Sequence, residues 1–195
     1  MPTAPRPLVL LSATALCIAG AQAQSKATAT RPVGRISLAF TYDAQGSNLT
    51  TSSRFWLQGG AAELNMRLYR GLGATVSVLG LHAGNTIGGA PVNLVTEAFG
   101  PSYTFTRPLR SHTVSLFARG LAGEANGFNG VYPSAGGPIT SSNSFAMLAG
   151  GGVDIGLSRH IALRLVQADY VRIQLPNSIT NVQNNFRLGA GIILH

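Results

Sequence analysis

The chain has 195 residues, enough for one domain, and combines 45% hydrophobic with only 10% charged residues. A soluble domain carries about 25% charged residues, so this composition argues against an ordinary water-soluble surface. The net charge of +8 comes from basic residues scattered singly, which argues against nucleic acid as a partner. The one cysteine, Cys17, leaves no disulfide or cysteine metal site within the chain.

The first residues have the order of a secretory signal peptide. A basic start precedes an apolar run over residues 8–19, and Ala21-Gln22-Ala23 supplies a small-x-small cleavage site. The run is shorter than the about 20 residues that a helix needs to cross a bilayer. We therefore predict export through the Sec pathway by a cleaved signal peptide at 1–23, followed by a polar leader at 24–32 and one domain at 33–195.

Eight stretches of strand length follow, divided by turn residues. Apolar and polar side chains alternate in most of them with the period of two that is typical of a strand with unlike faces. In the first stretch Ile36, Leu38 and Phe40 share one face, and Ser37 and Thr41 share the other. The predicted strands cover residues 33–43, 55–68, 72–83, 92–106, 112–124, 144–157, 160–174 and 182–194.

The predicted connections alternate in length. Those after the second, fourth and sixth strands are short, and the other connections are longer, as in membrane barrels with short periplasmic turns and long extracellular loops. An even number of strands places both termini on the short-turn, periplasmic side. The longest connection, residues 125–143 (ANGFNGVYPSAGGPITSSN), carries no charge, and we predict that it contacts an extracellular ligand.

The polarity of the two strand faces favours a membrane barrel. A soluble β-sandwich packs its apolar faces inside, whereas a membrane barrel turns that face to lipid and encloses the polar face. The few charged residues lie opposite the apolar rows, which favours a small closed interior where carboxylates and guanidinium groups pair. The sequence therefore predicts an all-β fold, an eight-stranded antiparallel up-and-down transmembrane β-barrel. The predicted interior polar and ionic cluster comprises Glu63, Arg67, Arg119, Asp154, Arg164, Asn185 and Arg187.

Residues 150–194 resemble the last three strands of small outer-membrane β-barrel proteins of the OmpA/OmpX-like type. The resemblance rests on Ala162-Leu163-Arg164, on Asp169-Tyr170 and on residues 185–192 (NFRLGAGI), which follow a glycine-rich strand. It implies a porin-family barrel in the outer membrane, with outer-membrane lipids and the barrel-assembly machinery as partners. Chains of this family usually end in an aromatic residue, whereas this one ends Leu194-His195.

No catalytic, cofactor or metal site is predicted, and we do not expect an enzyme. The four histidines are not at metal-ligand spacing, and no phosphate-binding loop or nucleophile motif is present. Four carboxylates are candidates for acid–base pairs, but we favour their ion pairing with arginines inside the barrel. These carboxylates are Glu63, Glu97, Asp154 and Asp169.

Basic residues gather on the predicted short-turn side. We predict that they contact the anionic headgroups of the inner leaflet, because cationic side chains next to a membrane attract anionic lipids. Aromatic residues near the strand ends favour girdles at the two membrane interfaces. The predicted headgroup contacts are Arg70, Arg107, Arg110 and Arg159.

The function that the sequence favours is a structural or surface-interaction role in the outer membrane, through long uncharged extracellular loops. Two alternatives stay open at this point. One is a narrow pore for small solutes, although side chains fill the interior of most eight-stranded barrels. The other is a soluble periplasmic barrel that binds an apolar ligand, as lipocalins do.

Overall fold

The eight strands form a closed barrel in a computed structural model that describes residues 36–48, 54–84, 91–109, 112–134, 136–177 and 180–195. Each strand is antiparallel to its sequence neighbours, and the last pairs with the first. The all-β, eight-stranded up-and-down barrel is therefore confirmed. The predicted signal peptide and leader lie outside the described residues. The strands are β1 (Ile36–Ser47), β2 (Phe55–Tyr69), β3 (Leu72–Ala83), β4 (Val92–Leu109), β5 (His112–Tyr132), β6 (Ile139–Gly156), β7 (Ile161–Ile173) and β8 (Gln183–Leu194).

The two ends of the barrel differ in their connections. At the turn end, short connections join β2 to β3, β4 to β5 and β6 to β7, and at the loop end the connections are longer. The connection between β2 and β3 consists of Arg70 and Gly71, whose φ angles are 44° and 89°. Positive φ at both central residues is what a two-residue type I′ hairpin requires. We use turn half and loop half for the parts of the barrel nearer each end.

Large apolar side chains of the turn half and the middle of the barrel point away from the barrel axis and form an outward belt. Leu38, Val76, Leu116 and Leu188 are between 36% and 51% exposed, although all four lie within paired strands. Leaving one such side chain in water rather than burying it costs about 1.5–3 kcal/mol. A belt of them suits hydrocarbon, as predicted for a transmembrane barrel, and argues against the soluble lipocalin-like alternative.

No helix within the described ranges is long and apolar enough to cross a bilayer.

The direction of the apolar side chains reverses along several strands. In β3, Val76 and Val78 face outward, whereas Leu79 and Leu81, nearer the loop end, are buried inside. The prediction of a polar interior along the whole barrel is therefore wrong for the loop half, which encloses an apolar core. The core includes Leu57, Leu79, Leu81, Leu94, Leu121, Ala125, Leu148, Val171, Ile173 and Leu175.

The outer face of the loop half differs from the outward belt because it mixes polar with apolar residues. Gln58, His82 and Arg172 are exposed there, together with the apolar Trp56 and Phe145. An apolar interior under an outer face that carries such polar groups is the arrangement of a water-soluble protein, because burying apolar surface is the main driving force available in water. The turn half has the opposite arrangement, which is the one that lipid favours.

The β5–β6 hairpin extends past its neighbours at the loop end. β5 continues to Tyr132 and β6 begins at Ile139, and their ladder places Asn126 opposite Asn143. The prediction that residues 125–143 form a long loop is therefore wrong, since only 133–138 connect the two strands. Glycine, asparagine and serine indicated a loop, but cross-strand pairing and the burial of alternate residues keep this segment extended.

Candidate functional site

Seven charged side chains meet inside the barrel between the apolar core and the turn end, and we call them the ionic cluster. Six of them have side chains no more than 3% exposed, and Asp154 is 13% exposed. Charges are rarely buried unless they are paired, so the contacts within this cluster decide whether the barrel is stable. The members are Asp43 of β1, Glu63 of β2, Arg119 of β5, Asp154 of β6, Arg164 and Asp169 of β7, and Arg187 of β8.

Glu63 is the centre of the ionic cluster, because three arginines from three strands reach its carboxylate. Its Oε2 atom lies 2.7 Å from Nη1 of Arg119 and 2.6 Å from Nη1 of Arg164. Nη2 of Arg187 is 3.6 Å from the other oxygen, Oε1. One carboxylate of β2 thus links strands β5, β7 and β8 across the interior.

Asp169 is the second shared carboxylate. Arg119 donates to both of its oxygens, at 3.2 Å from Nε and 3.0 Å from Nη2. Arg187 donates to Oδ2 from Nε at 2.9 Å and from Nη2 at 2.5 Å. Gln167 adds amide hydrogen bonds to Asp169 at 3.0 Å and to Glu63 at 3.3 Å. Bidentate pairing of this kind fixes the orientation of the guanidinium groups as well as their distance.

Asp154 and Asp43 pair at the edges of the ionic cluster. Arg164 donates from Nε to Asp154 at 3.0 Å, toward the turn end. Asp43 lies 3.6 Å from Nε of Arg187 and accepts a hydrogen bond of 2.6 Å from the hydroxyl of Thr41. Each arginine of the cluster therefore contacts at least two carboxylates, and each carboxylate contacts at least one arginine.

An aromatic ring lies beneath the guanidinium groups. The Phe117 ring centroid is 4.2 Å from the guanidinium carbon of Arg164 and 5.7 Å from that of Arg119, within the range of cation–π contacts. Gly152 on the neighbouring strand makes room for it, since a Cβ atom at that position would lie 2.8 Å from the ring. Packing inside the barrel thus explains why one residue of the glycine run at 150–152 has no side chain.

A β-bulge in β7 places Arg164 and Asp169 on the same side of the barrel wall. Residues five positions apart point to opposite faces of a regular strand. Here the pairing with β8 shifts between Arg164 and Gln167, so that Leu165 and Val166 both face outward. The extra residue restores the phase, and Gln167 and Asp169 then point inward with Arg164.

The loop end of the interior is covered from two sides. Tyr132 folds inward over Gly127 and Gly130, and burial raises the pKa of its phenol to about 12. Leu175 packs nearby, where the amide of Gln183 accepts from its N–H at 3.0 Å and donates to its carbonyl at 2.8 Å. These two hydrogen bonds reproduce a backbone pair, so the first residues of the β7–β8 connection are held over the apolar core.

The inner face of β8 and β1 carries polar side chains in the loop half, where the inner faces of the other strands carry mostly apolar ones. Gln45 and Asn185 are fully or almost fully buried, and neither side-chain amide has a hydrogen-bond partner among the described residues. Each unpaired buried amide group costs about 1–3 kcal/mol.

The predicted interior residues have different places in the structure. Glu63, Arg119, Asp154, Arg164 and Arg187 come together in the ionic cluster. Asn185 lies above it toward the loop end, and Arg67 is only half-buried near the turn end, without an ion pair to a described carboxylate.

Some members of the ionic cluster were outside the predicted set. Asp43 was missed, although it alternates in phase with Ser37, Ala39 and Thr41, and this signal was available in the sequence. Gln167, which hydrogen-bonds to the cluster, was also missed. Asp169 was predicted only as one of four ion-pairing carboxylates. Glu97 was expected to pair inside, and this is wrong: it is exposed on the outer face, directly opposite Glu124 of β5.

The predicted headgroup arginines lie at the turn end. Arg70, Arg107 and Arg159 are exposed there, and Arg110 lies outside the described residues.

In the parts of the chain that the structure describes, no three histidine, cysteine, aspartate or glutamate side chains group as metal ligands would. Six of the seven side chains of the ionic cluster are no more than 3% exposed and all pair with one another, so its arrangement supports bracing of the barrel.

Comparisons of the sequence with models of known protein families and with curated proteins found no match. Solved structures do match the fold. Neisserial surface protein A (NspA) superposes with a TM-score of 0.59 at 15% identity, over 83% of this chain and 97% of that one. The Yersinia pestis attachment invasion locus protein Ail matches with a TM-score of 0.48 at 14% identity, over 81% and 97% of the two chains.

The N-terminal β-barrel domain of Pseudomonas aeruginosa OprF matches with a TM-score of 0.45 at 11% identity, over 81% of this chain and 96% of that one. At these identities the likeness concerns the fold alone, and NspA is the match that supports it. The closed eight-stranded barrel, its outward apolar belt and this match agree with the resemblance seen in the sequence. The chain therefore has the fold of the small OmpA/OmpX-like outer-membrane β-barrel proteins.

Proposed function

We propose that this protein is a closed outer-membrane barrel with a structural and surface-contact role. The observation that carries the proposal is that two layers of side chains fill the interior, the ionic cluster and the apolar core. A water-filled pore needs a continuous polar lumen, and Leu79, Leu148 and Ile173 interrupt it. The narrow-pore alternative is therefore not favoured.

The proposed orientation places the turn end and both termini in the periplasm. It is supported by the soluble-protein arrangement of the loop half, which suits the part of a barrel that projects into water. The β5–β6 hairpin projects furthest, so it is the proposed surface for an extracellular ligand. Export by the Sec pathway and insertion by the barrel-assembly machinery belong to the same proposal.

The outer part of the hairpin is uncharged and mixes apolar with small polar groups. Val131 and Ile139 are exposed apolar residues near its tip, and Ser141 and Asn143 are exposed on the same arm as Ile139. An isolated charge attracts any opposite charge at long range, whereas an uncharged surface discriminates by shape and hydrogen bonding at contact. The hairpin therefore suits a short-range contact.

Cysteine labelling tests the orientation directly, because Cys17 is the only cysteine and lies within the predicted signal peptide. Ser141→Cys places a thiol on the hairpin, and His112→Cys places one at the turn end. Ser141 and His112 are both exposed in the parent protein. We expect a membrane-impermeant maleimide to label only Ser141→Cys on intact cells, and both variants after lysis. Labelling of His112→Cys alone on intact cells would reverse the proposed orientation.

Membrane insertion and closure have separate tests. The protein should remain in the outer-membrane fraction through alkaline extraction and show heat-modifiable mobility on gels, and release into buffer would contradict the proposed location. In planar bilayers we expect no discrete conductance steps. Reproducible steps would show that the interior opens and would favour the pore.

A further inference from the structure

Two arginines of the turn end, Arg70 in the β2–β3 turn and Arg107 near the end of β4, are each stacked on an outward aromatic ring. The guanidinium carbon of Arg70 lies 5.1 Å from the ring centroid of Tyr69, and that of Arg107 lies 5.0 Å from the ring of Phe105. A hydrogen bond of 2.8 Å from the Thr104 N–H to the Gly71 carbonyl joins the β2–β3 turn to β4. This contact brings the two stacked pairs to the same sector of the rim.

Neither arginine has a carboxylate partner. All six acidic residues of the chain lie in the described part: four are inside the ionic cluster, and Glu97 and Glu124 face outward in the loop half. His195 belongs to the opposite sector, where its N–H donates to the His160 carbonyl. The β2–β5 sector of the turn end is therefore positive without local compensation.

The stacked geometry leaves the guanidinium donors free. A ring that covers one face of a guanidinium group leaves its N–H edges available, and these edges match two oxygens of a phosphate. Tyr69 and Phe105 are exposed and lie at the margin of the outward belt, where Leu68 precedes Tyr69 and Leu116 is paired with Phe105. Aromatic residues in this position sit at the level of lipid headgroups, so the arginines lie where lipid phosphates are.

The backbone at Arg70 gives independent support. Its φ of 44° is the left-handed conformation, which favours glycine and asparagine and costs other residues of order 1 kcal/mol or more. Asparagine at this position would suit the type I′ turn better. The turn itself therefore does not account for an arginine at this position.

We propose that Arg70 and Arg107 together bind the phosphate of an anionic glycerophospholipid, such as phosphatidylglycerol, at the turn end of the barrel. This rests on the proposed function, since it needs the turn end to lie at a phospholipid headgroup layer. The lipid lies against Tyr69 and Phe105 with its acyl chains along the outward belt, and its phosphate accepts from both guanidinium groups. Arg159 lies in another sector and is not part of this site.

The test compares dissociation constants of the first bound lipid, measured by native mass spectrometry on delipidated protein in detergent. Each arginine near an anionic lipid contributes about 1 kcal/mol, so we expect phosphatidylglycerol to bind about fivefold to thirtyfold more tightly than phosphatidylcholine. In Arg70→Asn/Arg107→Gln this preference should fall below about twofold. The asparagine relieves the turn, so the variant should fold at least as well as the parent, which heat-modifiable mobility checks.

Arg172→Gln is the matched control, since Arg172 is an exposed outward arginine of the loop half. It should retain the preference, and an equal loss there would show a bulk charge effect and overturn the site. A preference unchanged in the double variant would also overturn it. If 10 mM inorganic phosphate displaced the lipid completely, the site would be one for free phosphate. Failure of the parent to insert into vesicles would contradict the proposed function, whereas insertion without lipid preference contradicts only this inference.

Discussion

The two halves of the barrel solve the problem of burial in opposite ways. In the turn half, apolar residues such as Leu38, Val76 and Leu116 point outward and charged groups lie inside. In the loop half, apolar residues such as Leu79 and Leu148 lie inside. The same strands run through both halves, so neither strand propensity nor alternation accounts for the difference. The surroundings account for it, because lipid rewards apolar side chains on the outside and water rewards them on the inside.

The interiors of the two halves also contribute to stability in different ways. The ionic cluster is directional: each contact needs a partner at a defined angle, and its loss leaves a charge without compensation. The apolar core is non-directional and depends on filled volume. The first therefore specifies which strands meet, and the second closes the end that projects into water.

The largest expected effect comes from the centre of the ionic cluster. Glu63→Gln removes the negative charge shared by Arg119, Arg164 and Arg187, and should lower the free energy of unfolding by about 3–5 kcal/mol. Urea unfolding in lipid vesicles, followed by gel mobility, measures this. Glu97→Gln is the control, since Glu97 is exposed opposite Glu124, and it should change stability by no more than about 0.5 kcal/mol. Equal effects of the two variants would show that the cluster does not brace the barrel.

The apolar core should show the cost of a cavity. Leu79→Ala removes a fully buried side chain and should cost about 2–5 kcal/mol of unfolding free energy in the same assay. Leu116→Ala, on the outward belt, leaves no cavity because lipid fills the space, and should cost about 0.5 kcal/mol. If the two losses were equal, the loop half would not be packed as described.

The boundary between the halves can be located with one charge on one face of β3. Val76→Arg places a guanidinium group in the outward belt and should destabilise the barrel by about 2–4 kcal/mol. His82→Arg lies on the same face six residues nearer the loop end and should cost about 0–1 kcal/mol. The difference in urea midpoints measures the change of environment along the strand. Similar losses of unfolding free energy at both positions would show that both lie in the same environment, and would contradict the described difference between the two halves.

The smallest expected effect comes from the cover over the apolar core. Gln183→Ala removes both hydrogen bonds to the Leu175 backbone and should cost about 1–3 kcal/mol. Faster amide hydrogen exchange at Leu175 is the sharper readout, and exchange in the turn half should stay unchanged. Protection of Leu175 equal to that in the parent would show that other contacts hold the cover.

Much of this fold could be predicted from residue patterns. Alternation along 72–83 and 182–194 predicted strands that agree closely with β3 and β8, and charges opposite the apolar rows, such as Glu63 and Arg119, indicated the inner face. Failures came where local composition and tertiary pairing disagree. The glycine- and serine-rich segment around Phe128 looked like a loop, but residues 125–128 and Tyr132 have partners across the hairpin.

By itself, the sequence determined the strand count, the antiparallel order and the outward belt, because a period of two and a low charge content leave few other arrangements. Only the tertiary structure decided which charges meet. Arg164 and Asp169 share the interior because a bulge at Leu165 and Val166 shifts the phase, and a bulge depends on pairing with another strand. The apolar core likewise needed coordinates, since a single alternating strand does not say which of its faces is enclosed.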